Sequence, residues 1–205
     1  MFSFDQIESP IFTTRDLAMH LGRTEDAVHA LAMRAVASGK IIRIRKGLYT
    51  FPNKRGKVLD GRALCQSLYG PSYISLEYAL SYHNLIPEAV YTITSVSLGK
   101  SRHFSTPVGE FSFQRIPQNI LYTQVERLSG DAGLSFFMAT PLKALCDTLY
   151  CGGKEWTGLA SALDELRIDF EDLPAMDAIQ IDELLDNYRN SRVRTFLKGI
   201  RKELA

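Results

Sequence analysis

The chain has 205 residues, of which 45% are hydrophobic and 23% charged, with a net charge of +1. That composition excludes a disordered or low-complexity chain and suits one large domain or two small ones. Three cysteines with no CxxC pair exclude a disulfide scaffold, and the longest clean apolar run, Leu134 to Ala139, is far too short to span a membrane.

The opening Met1-Phe2-Ser3-Phe4-Asp5 has neither the basic start nor the apolar run of a secretory leader, so reduced thiols and a cytoplasmic location are expected. Phe4 and Ile7 are expected in a short first helix. Thr13-Thr14 then supplies an N-cap, Asp16 sits in the first turn, Leu17 and Leu21 share a face, and Gly22 stands at the C-cap position. Thr24 caps a second helix in which Val28, Leu31, Ala32, Ala35 and Val36 form a core stripe opposite Glu25, His29, Ala30 and Met33. Gly39 ends it. From Ile41 to Phe51 apolar and basic residues alternate, so Ile42 and Ile44 are expected to face a core with Arg43 and Arg45 outward, around a turn at Lys46-Gly47. Two short helices followed by a basic hairpin is the order of a winged helix-turn-helix.

Charge segregation fits that reading. Residues 27–59 hold eight bases and no acid, whereas residues 160–188 hold nine acids and one base, Arg167. A basic block on this scaffold points to a polyanion, and double-stranded DNA fits it: the second helix suits the major groove, and the hairpin suits the phosphates. Arg23, Thr24 and His29 are expected near bases, with Arg34, Lys40, Arg43, Arg45, Lys46, Lys54 and Arg55 completing the DNA-binding set. Glu25 and Asp26 stand at the DNA-facing end, where an acid can accept from cytosine but two together weaken affinity; as first-turn acids stabilised by the helix dipole they need no DNA.

Pro52 to Lys57 reads as a linker, dividing a winged helix-turn-helix at residues 1–57 from a larger α+β domain at 58–205. In the second part Asp60–Tyr69 and Leu76–Tyr82 are expected as helices and Tyr91–Leu98 as a strand. Phe104–Thr106 and Phe111–Arg115 form a hairpin, and Leu121–Val125 and Leu134–Ala139 add strands. Thr140-Pro141 starts a helix through Tyr150, and helical stripes follow at Ile181/Leu184/Leu185/Tyr188 and Val193/Phe196/Leu197/Ile200/Leu204. The expectation is a mostly antiparallel sheet packed by helices.

Catalytic chemistry has little support. Gly99-Lys100-Ser101 would need a glycine at 94 to be a phosphate loop, and Thr94 is there. His20, His29, His83 and His103 are scattered without metal-ligand spacing; His83 reads as a core histidine and Cys146 as an inert buried thiol. No enzyme, cofactor or metal is expected.

Several spaced motifs carry a family resemblance. Phe12-Thr13-Thr14-Arg15-Asp16-Leu17 and Lys46-Gly47-Leu48-Tyr49 resemble the antitoxin-type winged helix. Residues 71–80 (Pro-Ser-Tyr-Ile-Ser-Leu-Glu-Tyr-Ala-Leu), Leu85-Ile86-Pro87-Glu88 and 139–147 (Ala-Thr-Pro-Leu-Lys-Ala-Leu-Cys-Asp) resemble the C-terminal domain of AbiEi-family antitoxins. Leu142 departs from the acid usual in that last motif. The resemblance implies a bacterial type IV toxin–antitoxin, or abortive-infection, component. Its winged helix would repress its own promoter at inverted repeats. Its second domain would counter a cognate nucleotidyltransferase toxin, often without a stable complex. The competing reading is a non-enzymatic interaction module whose basic wing binds an acidic partner rather than DNA.

Overall fold

The computed structural model describes residues 4, 7–52, 59–130 and 133–204. In its N-terminal unit strand β1 (Ile11–Thr13) leads into helices α1 (Thr14–Leu21) and α2 (Glu25–Ala37), and strands β2 (Ile42–Arg45) and β3 (Leu48–Thr50) form the wing. The capping chemistry read from the sequence is in place. Thr13 and Asp16 form a reciprocal capping box at α1, and Gly22 closes that helix at φ 59°. The Thr24 hydroxyl accepts from the Ala27 amide at α2. Gly47 turns the wing at φ 78°, a conformation that favours glycine.

One expectation changes here, and one element was not foreseen. Ile7 lies outside any helix; its amide donates to the Phe4 carbonyl and its side chain packs in the N-terminal core. The segment before α1 is a strand, whose Phe12 pairs with Tyr49 of β3 and stacks on its ring. Three residues are too few to show period-two alternation.

The larger unit is built on a six-stranded mixed sheet. Its strands are β4 (Ser72–Ile74), β5 (Ile93–Ser97), β6 (Arg102–Thr106), β7 (Gly109–Arg115), β8 (Val125–Ser129) and β9 (Ser135–Ala139), in spatial order β6-β7-β5-β4-β9-β8. The β6/β7, β4/β5 and β8/β9 pairs are antiparallel, and β5/β7 and β4/β9 are parallel. The chain is thus α+β with a mostly antiparallel sheet. Leu121–Val125 is not a strand: residues 121–124 turn, and the strand runs from Val125 to Ser129. There the charged Glu126 and Arg127 on an edge mask the alternation. Strand β4, central in the sheet, is only three residues long and gave no periodic signal.

Helices complete the unit: a 3-10 turn (Gly61–Leu64) running into α3 (Cys65–Tyr69), then α4 (Leu76–Tyr82), α5 (Pro141–Gly152), α6 (Leu159–Leu166), α7 (Ala178–Asn187) and α8 (Ser191–Glu203). Pro141 occupies the first turn of α5, but Thr140 makes no side-chain cap bond there. The α3 segment covers one sheet face, where the Ser95 hydroxyl donates to Cys65 Sγ and Tyr69 meets Phe113 edge-on. Helix α5 covers the other. Its Lys143 and Asp147, one turn apart, are both fully buried. Asp147 accepts hydrogen bonds from Tyr73 Oη, Ser75 Oγ and Tyr188 Oη; the Lys143 ammonium donates to Gln118 Oε1 at 2.6 Å and to Tyr188 Oη at 3.0 Å. These bonds tie β4, α5, the 117–120 segment and the α7–α8 junction into one network, as buried polar groups require. Leu76 begins α4 at φ 61°, a costly left-handed conformation for a bulky residue; the Ser75–Asp147 bond before it and the Tyr78 amide to Thr94 Oγ1 bond after it hold it there.

The smaller core gathers Phe12, Leu17, Val28, Ala32, Ala35, Ile41, Tyr49 and Phe51. Ile44 and Leu48 do not join it. They bury in the larger core, with Ile11 and Ile42 packed alongside. The Pro52–Lys57 linker lies outside the described residues except for Pro52.

Candidate nucleic-acid interface

The wing sheet has two covered faces, and this decides where its bases point. Tyr49 and Phe12 turn toward the helices, so their strand neighbours turn toward the larger unit. Arg43, paired with Tyr49, is therefore on the helix side, where its Nη1 lies 4.0 Å from Met33 Sδ of α2. The expected split, Ile42 and Ile44 against a core and the arginines outward, holds for the isoleucines and for the exposed Arg45, but Arg43 is half-buried and the core the isoleucines meet belongs to the larger unit. A register shift between Arg43 and Arg45 then turns Arg45 toward α3, where its guanidinium donates to the Ser67 carbonyl at 3.2 Å.

The residues left at the front form a groove of ≈ 690 Å³ between the start of α1, the start of α2 and the wing turn. Thr13, Thr14 and Arg15 line one wall, Glu25, Asp26 and His29 the second, and Lys46 and Gly47 the third. The Thr14 amide donates to the Gly47 carbonyl at 3.0 Å, locking the wing turn to α1. Placement in the first turn leaves Glu25 and Asp26 exposed, and His29 is exposed in the turn that follows, at the end of a helix that a major groove can admit. Among the described residues neither acid has an ion-pair partner within 4.0 Å.

Of the residues singled out in the sequence, the structure brings His29 and Lys46 together in this groove. Arg23 and Thr24 stand at its edge in the turn between the helices, where Thr24 uses its hydroxyl as the α2 cap. Arg34 lies beyond it on α2, its Nε donating to the Ala30 carbonyl, and Lys40 follows the helix end, exposed. Arg43 and Arg45 are engaged as described, and Lys54 and Arg55 lie outside the described residues. Arg15 was missed. It is the second residue of α1 and reads in sequence as an ordinary first-turn residue; only the packing of α1 against the wing turn brings it beside Lys46.

The helices, the glycine turn and the wing all fall within the first 52 residues. Residues 1–52 match the AbiEi antitoxin family of transcriptional regulators. The AbiEi match ends at the residue after Phe51, so it covers the helix-turn-helix and wing and stops short of the larger unit. The family resemblance read from Phe12–Leu17 and Lys46–Tyr49 is met over this segment. No curated protein matches the chain. Among the described residues no group of three or more histidine, cysteine or acidic side chains is placed to hold a metal ion, and no helix is long and apolar enough to cross a membrane.

Proposed function

We propose that this chain is a DNA-binding autorepressor and the antitoxin of a type IV toxin–antitoxin system, acting without catalysis in the cytoplasm. One observation carries the reading: the AbiEi match coincides with a capped helix-turn-helix whose second helix opens into a groove flanked by Arg15 and Lys46. The start of α2 enters the major groove, His29 reaches base edges, and Arg15 and Lys46 hold the flanking phosphates. The operator is the chain's own promoter, at inverted repeats. The larger unit counters a nucleotidyltransferase toxin.

Anisotropy titration of a labelled duplex from the upstream region tests the DNA role. Affinity falls steeply with salt, because each phosphate contact releases about one counterion. Binding that ignores salt, or no binding at low salt, removes the DNA reading. It would favour the alternative of a basic wing docked on an acidic protein. Co-expression with the toxin gene tests the second role through recovery of growth.

A further inference from the structure

The last two helices carry stripes of opposite charge side by side. On α7, Ile179, Asp182, Glu183 and Asp186 fall at i, i+3, i+4 and i+7 and are all exposed. On α8, Lys198, Arg201 and Lys202 are exposed and the stripe ends at Leu204. Ile179 is 70% exposed and Leu204 49%. The Arg201–Asp182 ion pair, Nε to Oδ1 at 3.3 Å, sets the antiparallel register of the two helices. Equal rise per residue then puts Ile179 level with Leu204 at one end and Asp186 within one residue, about 1.5 Å, of Lys198 further along.

Asp186 breaks a local rule. It sits in the last turn of α7, where the helix dipole disfavours a carboxylate. Among the described residues its carboxylate meets no cation within 4.0 Å, and neither does the Lys198 ammonium meet an acid. Charges left so, beside bare apolar ends, fit a surface that is completed by another molecule.

We propose that a second copy of this chain covers this hairpin. A two-fold axis parallel to the helices lays α7 of each copy on α8 of the other. It preserves level along the helices, so Ile179 meets Leu204 of the second copy and Asp186 meets its Lys198, twice over. Placing like helix on like helix would oppose acid to acid and base to base, so the charge pattern selects this arrangement. The face is small: helices of 10 and 13 residues span about 15 and 20 Å, giving roughly 400 Å² per copy against about 800 Å² in a standard interface. The dimer is therefore weak and salt-sensitive.

Sedimentation of the full chain from about 10 to about 500 μM tests it. The average mass climbs toward two copies at about 50 mM salt and falls back at about 0.5 M. Asp186→Lys alone and Lys198→Asp alone each set like charges in contact and weaken association about tenfold; the two together restore it. Both positions are exposed, and a thermal melt verifies that each variant is folded. A chain that stays monomeric throughout, single swaps that dimerise as the parent does, or a double swap that regains nothing would each overturn the proposal.

Discussion

The Arg45 guanidinium of the wing donates to the Ser67 carbonyl of α3 at 3.2 Å, and the residues on either side of that contact, Ile44 and Leu48, bury in the larger core. The wing is therefore held by both units. Its position relative to the helices that would read DNA is fixed in part by the larger unit.

One consequence concerns cooperativity. Ile44→Ala or Leu48→Ala removes a buried aliphatic side chain and costs about 2–4 kcal/mol. The loss strikes both units together, because the shared strands belong to each. Urea unfolding followed through the single tryptophan, Trp156, which sits in the larger unit, and through DNA binding gives one coincident midpoint that shifts in both readouts. A wing variant that lowers DNA binding and leaves the Trp156 transition in place would show the units to be uncoupled.

The bases of the wing divide by role. Lys46→Ala and Arg15→Ala remove groove cations that have no ion-pair partner among the described residues, so each lowers affinity for every duplex and reduces the salt slope by about one. Arg45→Ala removes a contact to Ser67 as well, so it lowers the melting temperature along with affinity. Salt titrations and melts on the three variants check the division; equal salt-slope losses with unchanged melts in all three would contradict it.

Tyr49 supplies a sign test. Its hydroxyl is buried with no hydrogen-bond partner among the described residues, while its ring stacks on Phe12. A desolvated, unpaired hydroxyl costs stability, so Tyr49→Phe leaves the melting temperature unchanged or raises it. A clear drop would mean that the hydroxyl has a partner.

The Lys143–Asp147 network gives an asymmetric prediction. Tyr188 Oη accepts from Lys143 and donates to Asp147, so removing one charge leaves the other buried with a partner missing. Asp147→Asn and Lys143→Met each destabilise by about 3 kcal/mol, and the double variant costs less than their sum. Chemical denaturation of the three variants measures the coupling, and strict additivity would refute it.

Alkaline pH acts on the same network. Burial first, and then the Asp147 charge, hold the Tyr73 and Tyr188 phenols well above their ordinary 10.0. Above about pH 10 the unfolded chain releases protons that the folded chain keeps, so stability falls as pH rises through that range. Burial lowers Lys143 below its usual 10.5, which works in the opposite sense between its folded value and 10.5. Tyr188→Phe flattens the alkaline loss in urea midpoints taken between about pH 9 and 11. An unchanged slope would take Tyr188 out of the linkage.

Local chemistry was legible before any coordinates. Thr13, Gly22, Thr24 and Gly47 each mark an element end through their own backbone or hydroxyl preference, and each stands where it was expected. The β6/β7 hairpin and the start of α5 at Pro141 were similarly set by neighbours in sequence, although Thr140 makes no side-chain cap bond there. His83, expected as a satisfied core histidine, is satisfied but only half-buried: its Nε2 bonds the Ala139 carbonyl at 2.9 Å. Cys146 is buried, and burial raises its thiol well above the usual range, in keeping with an inert thiol. Strands β1 and β4 escaped because three residues carry no readable period, and Lys143 and Asp147 because a lysine and an acid one turn apart on a helix look the same exposed or buried.

The sequence by itself determined the helix-turn-helix, its caps, its basic wing and the separation of charge along the chain, because these follow from interactions within a few residues. Only the tertiary structure decided what each wing arginine meets, that Arg15 joins Lys46, that Ile44 and Leu48 bury away from their own helices, and that Ile179 stands level with Leu204 and Asp186 within one residue of Lys198. Those outcomes depend on how elements distant in sequence cover one another, and alternation along a strand fixes which residues share a face without fixing what that face meets.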